Sequence, residues 1–403
     1  MGITFASEAL FQGQTLLVRG DFNVPIKQRD NGEVEIRDDV RIRRLIPGLK
    51  QLLDKGARLV LTSHFGRPKG NIVPEMSLEP IARHLEILLG EPVLFLPSLL
   101  APENITTVRE YAQARVFLLE NLRFHPGEEA NDAGFASVLA RYADAYVNDA
   151  FSCSHRSHAS IDAITNILPA FAGATLAAEL NALSQALEIP TRPVAAIVGG
   201  AKISTKLSVL GHLISRVDKL ILGGGMANTF LAARGVDMAA SLMETNMIDT
   251  ASQIMAEATK HNCQIILPVD GVAATEFAAN TTTRIADNGA LKPDEMILDI
   301  GPASVEVAKL ALQECKTLVW NGPMGAFEIP PFDKSTSALA SMAAELTASG
   351  QLVSIAGGGD TLAALKQAGV ADKMSYLSLA GGAFLEWLEG KQLPGIVSLQ
   401  SER

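Results

Sequence analysis

Two sets of residues in this chain are spaced for anion chemistry. In the first half, short β-branched-rich runs stop in charged residues: LLVRGDFN (Leu16 to Asn23), RLVLTSHFGR (Arg58 to Arg67), ARVFLLENLRF (Ala114 to Phe124) and AYVNDAF (Ala145 to Phe151). In the second half comparable runs stop in glycine: VAAIVGGAK (Val194 to Lys202), KLILGGGMAN (Lys219 to Asn228), TLVWNGPMG (Thr317 to Gly325) and LVSIAGGGDT (Leu352 to Thr361). The planar fork of arginine pairs bidentately with carboxylate or phosphate. A glycine-rich turn at a helix start turns backbone N–H groups and the helix dipole toward phosphate oxygens. Parallel sheets place their ligands outside the carboxyl ends of their strands. One sheet edged with Arg and His and another edged with Gly-Gly therefore imply two anionic ligands meeting across a cleft.

The elements that must position these residues are legible in outline. Strand-like runs alternate with helical stretches throughout, the pattern of βαβ units and parallel sheets. The runs are nearly continuously apolar, as expected of strands covered by helices on both faces. Apolar residues at three- and four-residue spacing predict helices over Arg41 to Asp54, Glu79 to Leu89, Asp132 to Tyr142, Met247 to His261, Ser304 to Cys315 and Ser335 to Ala348. At 403 residues the chain is too long for one ordinary core. Leu176, Leu180, Leu183 and Leu187 mark an amphipathic helix that ends at EIPTRP. The expected fold class is α/β, with two doubly wound, Rossmann-like parallel-sheet domains joined by that hinge helix. The expected boundaries are 1–172 with a C-terminal segment 389–403, a linker helix 173–190, and a second domain 191–388.

Composition narrows the function classes. The net charge of -10 speaks against nucleic acid as a partner. Residues 1–170 hold 14 Arg and 4 Lys, whereas residues 171–403 hold 5 Arg and 11 Lys. Arg29, Arg44, Arg58, Arg83, Arg109, Arg115 and Arg141 read as solvated helix faces or strand starts. Arg67, Arg123 and Arg156 stand apart because they lie at or near strand ends, with Arg41 just before a helix. Cys153, Cys263 and Cys315 are scattered without a CxxC, which points to a reducing compartment and away from a metal-thiolate site. With no signal-peptide pattern and no membrane-length apolar run, the expected location is the cytoplasm. Two nucleotide fingerprints are absent: GGAKISTK (Gly199 to Lys206) is not GxxxxGK[ST], and GGGMAN (Gly223 to Asn228) lacks the third dinucleotide glycine.

Eight motifs taken together are more specific than any one. RGDFNVP, SHFGRPKG, LLENLRFHPGEE, VNDAFSCSHRSHAS, GGAKISTK, WNGPMGAFE, AGGGDT and AGGAFLEWLEGK occur in this order, and from about residue 13 to residue 395 the chain resembles the phosphoglycerate kinases. That resemblance implies reversible phosphoryl transfer between MgATP and the carboxylate of 3-phosphoglycerate, with monomer as the expected state. It implies that Asp21, Asn23, Arg41, His64, Arg67, Arg123 and Arg156 bind 3-phosphoglycerate. On residue chemistry alone, Asp21 and Asn23 serve equally well as strand-end turn residues. The loop QRDNGEVEI precedes RDDVRIRR, and alignment within that basic stretch selects Arg41 over Arg37 or Arg43. The resemblance further implies that Lys206, Asn321, Glu328, Gly358, Gly359, Asp360 and Thr361 bind ATP or ADP, with Lys206 on the phosphates and Glu328 on the ribose. Asp360 is the implied Mg2+ ligand. Arg41, Lys202, Gly359 and Gly381 are the implied catalytic groups, Lys202 following the transferred phosphoryl group. The linker helix and SHRSHAS (Ser154 to Ser160) are the expected hinges, and LPGIVSL (Leu393 to Leu399) is expected to pack back on the first domain.

Two positions depart from the family pattern. Ser378-Leu379-Ala380-Gly381-Gly382 stands where Ser-Thr-Gly-Gly-Gly is common, so Leu379 replaces a hydroxyl, with a modest loss of rate as the expectation. GATLAAEL lacks the charged residue often found after the glycine, to which no functional meaning attaches. Two other classes compete: a non-catalytic nucleotide-binding relative of the same fold, and a nicotinamide-dependent oxidoreductase on similar sheets. The retained Lys202, Lys206, Asp360 and arginines argue against the first. The missing glycine fingerprint argues against the second.

Overall fold

Strands that are apolar on both faces need cover on both faces. The computed structural model, which describes residues 2–28 and 34–400, meets that need twice; Arg29 lies outside the described residues. The first sheet comprises β1 (Thr15–Arg19), β2 (Arg58–Thr62), β3 (Val93–Leu96), β4 (Val116–Leu119), β5 (Ala145–Asn148) and β6 (Ala170–Ala172). All pairings in it are parallel, in the order β3-β4-β2-β1-β5-β6. The second comprises β7 (Val194–Val198), β8 (Lys219–Leu222), β9 (Gln264–Ile266), β10 (Thr317–Asn321), β11 (Val353–Gly357) and β12 (Tyr376–Ser378). It is also fully parallel, in the order β9-β8-β7-β10-β11-β12. Central strands TLLVR and VAAIV are buried at every position.

Each sheet belongs to a compact unit, Met1–Leu180 with Gln392–Arg403 in one case and Asn181–Lys391 in the other. In each, the strand order reverses beside a central strand: between β1 and β5 in the first, between β7 and β10 in the second. A reversal of this kind leaves a crevice at the carboxyl ends of the two strands. Leu16, Val18, Leu45, Leu61 and Leu118 belong to the core on one side of the first sheet; Leu17, Val60, Phe117, Leu119 and Tyr146 belong to a separate core on its other side. Ile197, Leu318, Trp320 and Leu339 share a core in the second unit.

Helix limits follow local chemistry. The Asp132 side chain accepts from Phe135 N at 2.7 Å, so it caps the helix and Ala133–Ala140 forms the body. Pro302 occupies the first position of Pro302–Gln313, two residues ahead of the start read from spacing, because proline needs no N–H donor there. The helix Ala174–Leu183 passes into a π-helical turn, Ser184–Glu188. Its start is tied to β5 by Asp149, whose carboxylate accepts from Leu176 N at 2.9 Å.

Two small sheets lack the apolar signature. Ile26–Gln28 pairs antiparallel with Val34–Ile36. Asp270–Ala274 pairs antiparallel with both Arg284–Asp287 and Met296–Ile300. These strands mix charged, small and half-buried residues, so neither alternation nor a continuous apolar run marks them.

The last described segment returns to the first unit. Gly395 N donates to Ser154 O at 2.9 Å, and Asn148 Nδ2 donates to Gly395 O at 3.2 Å. A Cβ at Gly395 would lie 2.6 Å from Ile161 Cγ2 and 2.9 Å from Ser154 Cα. Gly395→Ala is therefore expected to lower stability by about 1–3 kcal/mol through overpacking. Urea unfolding followed by circular dichroism checks this, and an unchanged midpoint would remove the contact from the account.

Candidate active site

In the first unit, strand ends bring together residues far apart in sequence. Arg41 lies in the first turn of the helix Val40–Asp54. Its Nη1 donates to Asp21 Oδ2 at 2.9 Å and to Asn23 O at 3.3 Å. Ser152, in the loop after β5, also donates to Asp21 Oδ2. Asn23 Oδ1 accepts from Gly66 N at 3.1 Å, and Arg123 Nη1 donates to Gly66 O at 2.9 Å. Arg37 is exposed and Arg43 pairs with Asp39 on the helix surface, so Arg41 alone of the three reaches Asp21 and Asn23. Arg67 is exposed directly after Gly66. Arg156 Nε contacts His155 Nε2 at 3.1 Å.

Positive charge is concentrated here and partly removed from water. Burial, followed by Arg19, Arg123, Arg156 and His158, holds the His64 imidazole well below its ordinary range. Burial and the same arginines push His158 down to about 4. Burial also lowers Arg123, whose Nε sits 3.1 Å from Glu129 Oε1. The contact is an ion pair without hydrogen-bond alignment, since Arg123 Nε has no hydrogen-bond partner. A cluster of this kind, with few opposing carboxylates, is built to be neutralised by an anion.

Three participants were not legible as site residues. Arg19 ends β1 at 1% exposure, Glu128 is 0% exposed and Ser160 is 0% exposed. Arg19 Nε donates to Ser160 Oγ at 2.9 Å, and Ser160 Oγ donates to Glu128 Oε1 at 2.6 Å. The segment RGDFN contains Arg19, but an arginine closing an apolar run carries no sign that it folds inward.

The second unit builds its site from backbone. A Cβ at Gly199 would fall 1.8 Å from Pro323 O, so the turns after β7 and β10 touch at a distance only glycine permits. Gly358 has φ 102° and precedes the helix Gly359–Gln367, which carries Asp360 in its first turn. Asn321 closes β10: it accepts from Lys206 Nζ and donates through Nδ2 to Gly357 O at 2.8 Å. Thr361 Oγ1 accepts from Gly322 N at 2.7 Å. Lys206, Asn321 and the turn from Gly357 to Thr361 are thus one connected group. Desolvation lowers the Lys206 ammonium, while Asp360 and Glu389 oppose that shift.

A cavity of about 280 Å³ opens beside this group, with Glu328 and Asp360 among its lining residues. Its apolar wall includes Leu231, Leu242, Phe277 and Met324. Leu242 and Phe277 are 53% and 60% exposed and line this cavity, so its apolar wall is open to a flat ligand. Neither lies in a recognisable motif. Lys202 is exposed. Gly381, with φ 49°, caps the short helix Gly382–Leu388.

Asp360 and the helix start fit a magnesium-bound phosphate: a hard carboxylate oxygen stands beside backbone N–H groups and a lysine. No helix of the described residues is long and apolar enough to cross a membrane.

The comparisons with known proteins agree over almost the whole chain. The family model described as phosphoglycerate kinase matches residues 7–391. A phosphoglycerate kinase of Ruegeria sp. (strain TM1040) is 52% identical over 401 residues, covering 100% of both chains. One from Sinorhizobium medicae (strain WSM419) is 51% identical over 97% of each. Among solved structures, phosphoglycerate kinase from Coxiella burnetii superposes with a TM-score of 0.90 at 39% identity, over 99% of each chain. That from Pyrococcus horikoshii OT3 gives 0.79 at 27% identity, over 99% of this chain and 98% of the other. With the two anion half-sites, these matches establish that the chain belongs to the phosphoglycerate kinase family.

Proposed function

We propose that this chain is an ATP-dependent phosphotransferase acting on the carboxylate of 3-phosphoglycerate, giving 1,3-bisphosphoglycerate and ADP reversibly. The observation that carries this reading is full-length similarity to phosphoglycerate kinases at about half identity, joined to an arginine cluster at one set of strand ends. The retained charges disfavour a non-catalytic relative.

The 3-phosphoglycerate half-site comprises Asp21, Asn23, Arg41, His64, Arg67, Arg123 and Arg156. Asp21 orients Arg41 through their 2.9 Å pair. Among the described residues Arg67 and Arg156 pair with no carboxylate, which leaves them to meet the substrate phosphate. The nucleotide half-site comprises Lys206, Asn321, Glu328 and the turn Gly358 to Thr361. Leu242 and Phe277 cover the base, and Glu328 receives the ribose hydroxyls. Asp360 would hold magnesium, which would supply positive charge to neutralise the phosphates.

The nucleophile is the substrate's own carboxylate, ionised at neutral pH, so no protein base is required. A carboxylate oxygen forms the new bond to the γ-phosphorus as the bond to the bridging oxygen of ADP breaks, and no proton is released. The protein's task is positioning and charge neutralisation. Lys202, Arg41 and the N–H groups of Gly359 and Gly381 are assigned to the transferring group. Asn321 holds Lys206 in place before any phosphate arrives. Because the two ligands are held by different units, reaction requires closure. The helix with its π-turn at Ser184–Glu188 is the candidate hinge, with Ser154 to Ser160 as the second. A cytoplasmic monomer is the matching state.

The direct test is 3-phosphoglycerate-dependent ATP consumption, with the acyl phosphate reduced by a coupling dehydrogenase and NADH loss recorded. Arg41→Ala and Asp360→Ala are each expected to lower turnover at least 100-fold, the usual loss when a charge-stabilising group is removed. Full activity in either variant would remove that residue from the machinery. Asn321→Leu is expected to raise KM for ATP about 10-fold while leaving KM for 3-phosphoglycerate unchanged, since an unanchored lysine has to be ordered by the ligand. Equal changes in both KM values would contradict an anchoring role.

A further inference from the structure

A donor facing a ring nitrogen decides which tautomer that ring adopts. Arg19 Nη2 lies 3.1 Å from His64 Nδ1. A guanidinium carries donors only, so Nδ1 accepts and the proton of the neutral ring sits on Nε2. The Cys153 thiol, 3.7 Å from the same nitrogen, faces it with a second donor.

Arg19 is itself held from behind. Nη1 donates to Gly20 O. Nε donates to Ser160 Oγ at 2.9 Å. That hydroxyl donates onward to Glu128 Oε1 at 2.6 Å, and Ser160 N donates to Oε2 at 3.0 Å. The Tyr146 hydroxyl fixes Ser160 by donating to its carbonyl at 2.7 Å. Each bond between Glu128 and His64 has one possible direction or is fixed by its neighbour.

We propose that Glu128, Ser160 and Arg19 are positioning residues. Through this chain they hold His64 as the neutral, Nε2-protonated tautomer, and the ring meets the anionic substrate as a hydrogen-bond donor and not as a cation. The proposal rests on the reading of the first unit as the 3-phosphoglycerate half-site. It goes beyond that reading by assigning His64 a protonation state and naming what sets it.

The surroundings of His64 agree. Cationic Arg19, Arg123 and Arg156 and the neutral His158 face it, as do Cys153 and Asp21, and burial acts in the same direction as the cations. A second positive charge would add repulsion to a cluster whose cations already outnumber its buried carboxylates, Glu128 and Asp21. A neutral donor adds a hydrogen bond to the anion without that repulsion. Binding of 3-phosphoglycerate should then show no histidine titration from His64 between pH 6 and 8, where an unperturbed ring changes charge near 6.5.

The test is long-range 1H–15N NMR of the imidazoles in the full chain, with His64→Gln identifying the His64 ring among the seven histidines. The wild-type ring is expected to give the Nε2-protonated pattern at every pH from 6 to 8. Ser160→Ala and Glu128→Gln are expected to bring in the other tautomer or a titration within that window. Both should raise KM for 3-phosphoglycerate about 10-fold, with KM for ATP unchanged. Ser160→Thr, which keeps the hydroxyl, should restore the spectrum and the KM together. A wild-type ring protonated on Nδ1, or on both nitrogens at pH 7, overturns the proposal whether or not the variants fold. Folded Ser160→Ala with an unaltered His64 spectrum overturns the role of the chain. An Nε2-protonated ring in a protein that does not turn over 3-phosphoglycerate upholds the tautomer and refutes the substrate, which separates the two readings.

Discussion

A guanidinium cannot give up its charge, so burying one obliges the fold to surround it with acceptors. Arg19 sits at 1% exposure at the carboxyl end of the central strand β1, where it has the Gly20 carbonyl, the Ser160 hydroxyl, His64 Nδ1 and the Cys153 sulfur. Its formal counter-charge, Glu128, is reached through Ser160. That arrangement fixes four loops, those following β1, β2, β4 and β5, at one end of the sheet. The basic cluster can exist because its innermost member is already satisfied. The other members, Arg41 beside Asp21, Arg123 beside Glu129, and Arg67 and Arg156, then line the place for a ligand.

The second unit meets the same requirement, that of holding an anion, by different means. Glycines let the turns after β7 and β10 approach within touching distance, and a Cβ at Gly199 or Gly358 would strike the neighbouring turn or Asn321. Backbone N–H groups replace guanidinium forks, and a single half-buried lysine is aimed by an asparagine. This division accounts for the contrast between an arginine-rich first half and a lysine- and glycine-rich second half. A carboxylate and a single phosphate favour rigid forks. A chain of phosphates with a metal favours a helix start and a flexible cation.

Much of this was legible before the fold was known, because parallel strands end where ligands bind and the motifs occupy those ends. Arg41 against Arg37 and Arg43 is an instance where geometry distinguishes what spacing could not: only Arg41 faces Asp21 from the first helical turn. Arg58 was read as a solvated strand start, yet its guanidinium donates to the carbonyls of Arg109, Tyr111 and Ala114 and lies over Phe117, stapling loops together. Glu128 and Ser160 gave no signal because burial of a polar residue depends on partners from other loops. The antiparallel strands Asp270–Ala274, Arg284–Asp287 and Met296–Ile300 carry no such mark because their sequences mix charged, small and apolar residues and follow no single period. Leu242 and Phe277 were missed because an exposed apolar residue is ordinary until a cavity is seen beside it.

The proposed function divides the chemistry between two independent anion sites, one built from arginines and one from glycine turns. Isothermal titration of 3-phosphoglycerate and, separately, of ATP with magnesium into wild type and Arg123→Ala tests it most directly. Arg123→Ala is expected to abolish the heat of 3-phosphoglycerate binding and to leave the ATP isotherm unchanged. Loss of both isotherms in a folded variant, or retention of both, would contradict it.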